Sequence, residues 1–187
     1  MAQLRRLAVT LLTIANDIRL LACGPRAGLG ELLLPANEPG SSIMPGKVNP
    51  TQCEAMAMVC TQVIGMDAAV AAAGAGGHLQ MNVYKPLIGF NLIEGIRLLQ
   101  DACRCFRLNL VTGMEPDRDR IAFYVERSLM LVTALTPEIG YEKACAIAQH
   151  AHRDGLTLRE AAMQSGAITD ERFDQLIDPA AMASPHR

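Results

Sequence analysis

The feature that most constrains the fold is residues 51–73, which are apolar on almost every side when drawn as a helix. A helix of this kind must bury most of its surface, so it requires other helices around it. Its charge-free part, residues 55–66, contains Gln62 and is followed at once by Asp67, well short of the roughly 20 apolar residues that cross a membrane. We therefore predict a buried bundle helix and no membrane span.

The composition favours helices throughout the chain. Of the 187 residues, 50% are hydrophobic, but only 4% are aromatic and none is Trp, so Ala, Leu and Met supply much of the apolar mass. These residues lose little conformational freedom in a helix, whereas β-branched and aromatic residues favour strands. The net charge of −2 argues against binding to nucleic acid or an anionic membrane through bulk positive charge.

Hydrophobic periodicity predicts an all-α fold with a long-helix bundle over residues 1–112. The predicted helices cover about 2–22, 50–73 and 79–111. Asn49 is the expected N-cap of the second helix, and Pro86 is expected to kink the third.

Residues 24–50 are too rich in Gly and Pro for a long helix, and we expect an ordered, functional loop. We also expect no long helix within this loop and an exposed tip at Ser41.

A small helical C-terminal domain is predicted over residues 113–187, where the segments shorten and charge increases. Thr136 and Pro137 are expected to begin a helix that runs to Asp154. Thr157 and Glu160 have the spacing of a capping box, which predicts the start of another helix. Thr169 is expected to cap the last one.

The cysteines and histidines do not indicate a metal site. Cys103 and Cys105, like His150 and His152, are two residues apart, which is about 200° of rotation on a helix. Because no secretory signal is visible, we expect reduced thiols and a cytoplasmic location, or a mitochondrial one in a eukaryote. The six cysteines are Cys23, Cys53, Cys60, Cys103, Cys105 and Cys145.

The residues with the most evident chemistry lie in segment 40–50, which we call the signature segment. It has two adjacent hydroxyls, Ser41 and Ser42, followed by Lys47 and Asn49. Together with the free amides at the start of the next helix, these groups suit an anionic ligand such as a carboxylate. On this local chemistry alone, a capped loop with a solvated Lys47 is an equally good interpretation.

The signature segment resembles the signature loop of the fumarase/aspartase superfamily. Gly46 before Lys47 is the form found in class II fumarases, whereas aspartases usually have alanine at that position. The resemblance covers residues 2 to about 182. Five further segments contribute to it: 28–31, 35–39, 51–55, 82–86 and 128–135.

This resemblance implies an enzyme that reversibly hydrates fumarate to L-malate, as a homotetramer and without a metal or organic cofactor. Ser41 matches the family's catalytic base, which takes a proton from C3 of malate. Glu54 matches a catalytic carboxylate that orients and charges a histidine. The positions that match substrate-binding residues are Ser42, Lys47, Val48 and Asn49.

The family takes that histidine from motifs in the upstream half of its subunit, and none of the four histidines here matches it. We therefore expect a chain that covers less than half of a usual subunit, as a truncation or a fragment, and is inactive alone. One alternative is an aspartase-like ammonia-lyase. The residues that argue against it are Gly46, the pair 51–52 and Lys85. A non-catalytic helical module retained for oligomerisation is the other.

Overall fold

The computed structural model describes residues 1–38, 44 and 46–184. The chain divides into two compact units, Met1–Asp117 and Arg118–Arg187. We call them the bundle unit and the C-terminal unit. The domain division predicted after residue 112 lies slightly earlier in the chain than this boundary.

The bundle unit contains three long helices, and its described residues include only one very short sheet, so the predicted all-α class is confirmed. Strand β1 pairs with β2 in antiparallel register, Leu32 opposite Pro116. The elements are α1 (Ala2–Leu21), β1 (Leu32–Leu33), α2 (Thr51–Ala75), α3 (Lys85–Asn109), a 3-10 turn (Val111–Gly113) and β2 (Glu115–Pro116).

Helix α2 packs against both α1 and α3 through buried residues that recur at spacings of three and four. This spacing is that of side chains interlocking along a coiled-coil seam. In α1 the fully buried positions are the small Ala8 and Ala15. Arg5 Nη1 lies 3.0 Å from Asp67 Oδ2, which joins the start of α1 to the second half of α2. The two helices therefore run antiparallel. The seam residues of α2 are Cys53, Met56, Cys60 and Val63.

The third helix begins later than predicted. α3 starts at Lys85 rather than near residue 79, and Pro86 lies in its first turn. Proline is tolerated there because the first helical N–H groups have no partner within the helix. The preceding turn is held by Asn82, whose Nδ2 donates to the carbonyl of Ala73 at 2.9 Å. The predicted kink at Pro86 is therefore wrong: this proline lies in the first turn of the helix.

The start of α2 also differs from the prediction by one residue. Pro50, and not Asn49, is the N-cap, and no side chain caps this end. The carbonyl of Pro50 accepts hydrogen bonds from the amides of Cys53 and Glu54, at 2.9 and 3.1 Å. Pro50 can occupy this position because its missing N–H would have no partner there.

The C-terminal unit packs short helices around its own apolar cluster. The capping box of Thr157 and Glu160 and the cap by Thr169 are confirmed. The helix predicted from Thr136 to Asp154 is broken at Gly140, whose φ of 85° ends α5 before α6 begins. The elements are α4 (Arg118–Glu126), a 3-10 helix (Leu129–Leu135), α5 (Thr136–Ile139), α6 (Tyr141–Asp154), α7 (Leu158–Ser165), α8 (Asp170–Leu176) and α9 (Pro179–Ala183).

Within the described part of the chain, α2 alone is long and apolar enough to cross a membrane, by length and composition only, with a mean hydropathy of 1.6. The uninterrupted apolar run of residues 55–66 is too short to cross a membrane, but the whole helix meets the criterion. The core helix of a bundle passes the same test when it is mostly buried, but only 22% of this window of α2 is buried by the described chain, so the predicted burial is met only in part. Here α2 lies against two other helices, and its largely buried Asp67 carboxylate pairs with the half-exposed Arg5 of α1.

Candidate functional site

The described part of the signature segment borders a cleft of about 1220 Å³ in the bundle unit. The last turns of α1, the chain around β1 and the start of α2 form the remaining walls. The charged and amide side chains that line it are Asn16, Arg19, Lys47, Asn49, Glu54 and Asp117.

The chain between α1 and β1 is tied to its surroundings by backbone hydrogen bonds. The amide of Glu31 donates to the carbonyl of Leu21 at 2.8 Å, and the amide of Asp117 donates to the carbonyl of Glu31 at 2.9 Å. Gly28 is required for a close approach, because a Cβ at this position would lie 2.4 Å from the carbonyl oxygen of Cys23. These contacts hold in place the backbone that forms one wall of the cleft.

One side-chain contact joins the chain just before the signature segment to the chain just after it. The Thr51 hydroxyl donates to the Glu38 carboxylate, so the chain on both sides of residues 39–50 is held together. Thr51 is the first residue of α2, so one of the two residues in this contact belongs to a long helix. The contact holds residue 38 beside the start of α2.

Lys47, Val48 and Asn49 all line the cleft, as the substrate-binding assignment requires. Lys47 and Val48 are exposed and Asn49 is half-buried. The preceding Gly46 has a φ of 78°, in the left-handed region that favours glycine. An alanine at residue 46 would therefore be strained even though a Cβ meets no neighbour there.

Glu54 projects from the first turn of α2 into the same cleft and is exposed. Charges on both α1 and α2 influence the pKa of the preceding residue, the buried Cys53. Burial raises the pKa of the Cys53 thiol, the positive charge of Arg19 lowers it and the negative charge of Glu54 raises it. A cation from α1 and an anion from α2 therefore act on the same buried thiol.

The structure thus brings four of the six predicted site residues to one place: Lys47, Val48, Asn49 and Glu54. Ser41 and Ser42 lie outside the described residues, as does the predicted exposed tip at Ser41, so their roles stay predictions. Across residues 1–38, 44 and 46–184, no cluster of three or more His, Cys, Asp or Glu could hold a metal ion.

Asn16 and Arg19 also line the cleft, although neither was predicted from the sequence as a site residue. They lie three residues apart near the end of α1, on one face of the helix. Their position could have indicated this, because they lie just before the Gly- and Pro-rich loop, and the last turns of a helix contact the chain that follows it.

The chain is similar to known proteins over its whole length. A family model described as "Lyase" matches residues 1–65, and one described as "Fumarase C C-terminus" matches residues 131–184. The chain is 98% identical over all of its length to the class II fumarate hydratase of Parasynechococcus marenigrum, and 67% identical over 98% of its length to that of Prochlorococcus marinus strain MIT 9313.

A solved structure gives the same result. The crystal structure of recombinant class II fumarase from Schistosoma mansoni superimposes with a TM-score of 0.92 at 47% identity. The match covers 98% of this chain and 38% of that one. The chain spans about 40% of the length of both bacterial relatives.

Proposed function

Since the chain belongs to the class II fumarase family, within the fumarase/aspartase superfamily, we propose that it forms part of a subunit that reversibly hydrates fumarate to L-malate. The observation that carries the proposal is the joint position of Lys47, Asn49 and Glu54 on one cleft. An ammonium, an amide and a carboxylate are thereby presented together at the start of a helix. Cationic and amide groups of this kind bind carboxylates and stabilise negative charge as it develops.

In the proposed reaction Ser41 takes the proton from C3 of malate, and the electron pair left behind delocalises into the adjacent carboxylate. Lys47 stabilises this added negative charge, and Asn49 donates to a carboxylate oxygen. The hydroxyl on C2 then leaves as water, with a proton from an acid that the rest of the subunit assembly provides. A serine hydroxyl is a weak base, so this role requires nearby donors that stabilise its alkoxide.

The test uses an active host. The segment of the Parasynechococcus marenigrum relative that corresponds to this chain is replaced by these 187 residues, and fumarate absorbance is followed. We call this protein the chimaera. We expect turnover, and a loss of a hundredfold or more with Ser41→Ala, the order expected for a positioned general base. An inactive but folded chimaera would contradict the proposed function, and near-normal turnover of Ser41→Ala would transfer the role of base to Ser42.

Two further variants examine the described part of the site. Lys47→Ala should lower turnover because the developing charge loses its cation. Glu54→Gln should act through the histidine that it orients and should therefore shift the pH profile of turnover. A Lys47→Ala variant with unchanged turnover would contradict the role of Lys47.

The aspartase-like alternative is separated by substrate. The chimaera should act on L-malate and leave L-aspartate unchanged. The left-handed conformation of Gly46 supports this preference, because the alanine usual in aspartases would be strained there. Ammonia release from L-aspartate would overturn the assignment.

We also propose that the subunit assembles into a homotetramer through the bundle helices. An apolar face of α2 is left uncovered by α1 and α3, and it suits packing against helices of further copies. It is lined by Ala57, Met58, Thr61, Gln62 and Gly65. The chain alone should associate and should not hydrate fumarate, because the catalytic histidine of the family has no counterpart here.

The proposed location is the cytoplasm. All six cysteines are free thiols in the structure, which suits a reducing compartment. Fractionation of cells that express a tagged full-length protein would test this.

A further inference from the structure

The chain that enters the signature segment is tied to the end of α3. Asn37 Nδ2 donates to the carbonyl oxygen of Asn109 at 2.7 Å. Asn109 is the last residue of α3, and the final carbonyls of a helix have no partner within the helix itself. A side chain 72 positions away in the sequence therefore supplies a hydrogen bond that this helix end requires.

The same two stretches of chain are joined again on the N-terminal side of Asn37. Strand β1 pairs with β2 in this region. Pro35 packs closely on Gly113, since a Cβ added to the glycine would lie 3.3 Å from the Cβ of Pro35. Residues 31–37 are therefore held along residues 109–117, and the Asn37 contact lies nearest to the signature segment.

Asn37 and Glu38 tie the chain to two different helices. The Asn37 amide binds the end of α3, while the Glu38 carboxylate accepts from Thr51 at the start of α2. The Glu38 contact joins the two flanks of the signature segment to each other, whereas the Asn37 contact fixes the first flank to a third helix. Two neighbouring residues thus hold the chain from two directions just before the segment begins at residue 40.

We propose that Asn37 is a positioning residue: its bond to α3 fixes the point from which the chain enters the signature segment, and thereby the place of the base predicted at Ser41. This inference rests on the proposed function. A base must lie at the correct distance from the proton that it removes, and a displacement of about 1 Å can cost roughly a hundredfold in rate. Lys47 and Asn49 lie near the other flank, at the start of α2, so substrate binding depends less on Asn37.

The experiment compares Asn37→Leu with Thr112→Val in the chimaera. Asn37→Leu nearly keeps the size of the side chain and removes the donor without adding a charge. Thr112→Val is the matched control, because the Thr112 hydroxyl also donates to a carbonyl near the end of α3, that of Arg107 at 2.8 Å, but does not involve the chain before the signature segment.

Asn37→Leu should lower kcat by about 3- to 10-fold, the range expected for the loss of one hydrogen bond, and should leave KM nearly unchanged. Thr112→Val should leave both constants unchanged. An unchanged kcat in Asn37→Leu, or an equal loss in Thr112→Val, would overturn the proposal. Failure of the proposed function is seen separately, as an inactive unmutated chimaera.

Calorimetric titration with succinate separates positioning from a loss of folded sites. Succinate is a dicarboxylate without a double bond or a hydroxyl group, so it can bind at the site without reacting. The number of succinate sites per chain should be the same in Asn37→Leu as in the unmutated chimaera, although kcat is lower. A fall in the number of sites as large as the fall in kcat would overturn the proposal, because Asn37 would then only stabilise the fold.

Discussion

The two units bury apolar surface in different ways. In the C-terminal unit, Leu135 and Leu158 are fully buried and the short helices surround one cluster. In the bundle unit, α3 has a stripe of exposed apolar residues at intervals of three: Leu87, Phe90, Ile93 and Ile96. Met58, on the uncovered face of α2, is 67% exposed.

This difference shows how each unit is stabilised. The C-terminal unit has helix caps, such as that of Thr157, and ion pairs between its short helices, for example Arg172 of α8 with Glu138 of α5. The bundle unit has long helices whose seam covers only one side, so its remaining apolar faces need additional helices. Exposed apolar patches of this kind mark interfaces.

The largest effect should come from placing a charge on the uncovered face of α2, which should reduce self-association of the chain. The isolated chain should elute above 20.1 kDa in size-exclusion chromatography with light scattering, and Met58→Lys should shift it towards the monomer. Met130→Lys is the control, because Met130 is even more exposed, at 79%, but lies in the C-terminal unit. A monomeric unmutated chain, or equal dissociation by both changes, would contradict this interpretation of the bundle.

Next in size is the loss of a core side chain in the C-terminal unit. Phe173 is 5% exposed within the cluster, so Phe173→Ala should cost about 3–5 kcal/mol. Hydrogen exchange measured by mass spectrometry should show lost protection in α6 and α7. Phe90→Ala, at an exposed position of α3, should leave their protection unchanged. If both changes had the same effect there, the C-terminal cluster would not be a separate core.

The ion pair across the bundle seam should contribute less. Arg5→Ala leaves the buried Asp67 carboxylate without its partner, at a cost of about 1–2 kcal/mol. The cost falls below that of a fully buried pair because Arg5 is about half exposed. Thermal unfolding followed by circular dichroism would measure it, with Arg6→Ala as the control. A change equal to that of the control would mean that the pair adds nothing.

The smallest effect should come from one cap in the C-terminal unit. Thr157→Ala removes the hydroxyl that accepts from the Glu160 amide, and it should cost about 1 kcal/mol. Thr133→Ala is a suitable control, because its hydroxyl also bonds to backbone but caps no helix. Protection of the α7 amides would measure the difference, and equal losses in the two variants would contradict a capping role.

The same cap should depend on pH. Hydrogen bonds from the backbone and side chain of Thr157 hold the pKa of Glu160 below its usual value. A carboxyl with a lowered pKa stabilises the fold above its unfolded pKa, and this contribution is lost as pH falls through the folded pKa. The stability difference between the unmutated chain and Glu160→Gln should therefore shrink as the pH is lowered into the acid range. A difference that does not change with pH would contradict this role.

Much of the architecture was decided locally and could be predicted. Helical periodicity predicted the three long helices, because apolar residues at spacings of three and four define a buried face on any helix. Thr157 and Thr169 predicted their helix starts, because a cap depends on residues only a few positions apart. The site assignments at Lys47, Val48, Asn49 and Glu54 came from the resemblance of the signature segment, and the structure places them on one cleft.

Other features were decided only by the tertiary structure. Pro86 lies in the first turn of α3 because the turn held by Asn82 separates α2 from α3, and periodicity alone could not locate that turn. Likewise, Arg19 joins the cleft because α1 and α2 run antiparallel, so that the end of one helix lies beside the start of the other. Sequence spacing determines which residues share a helix face, whereas the packing of one helix on another determines what that face meets.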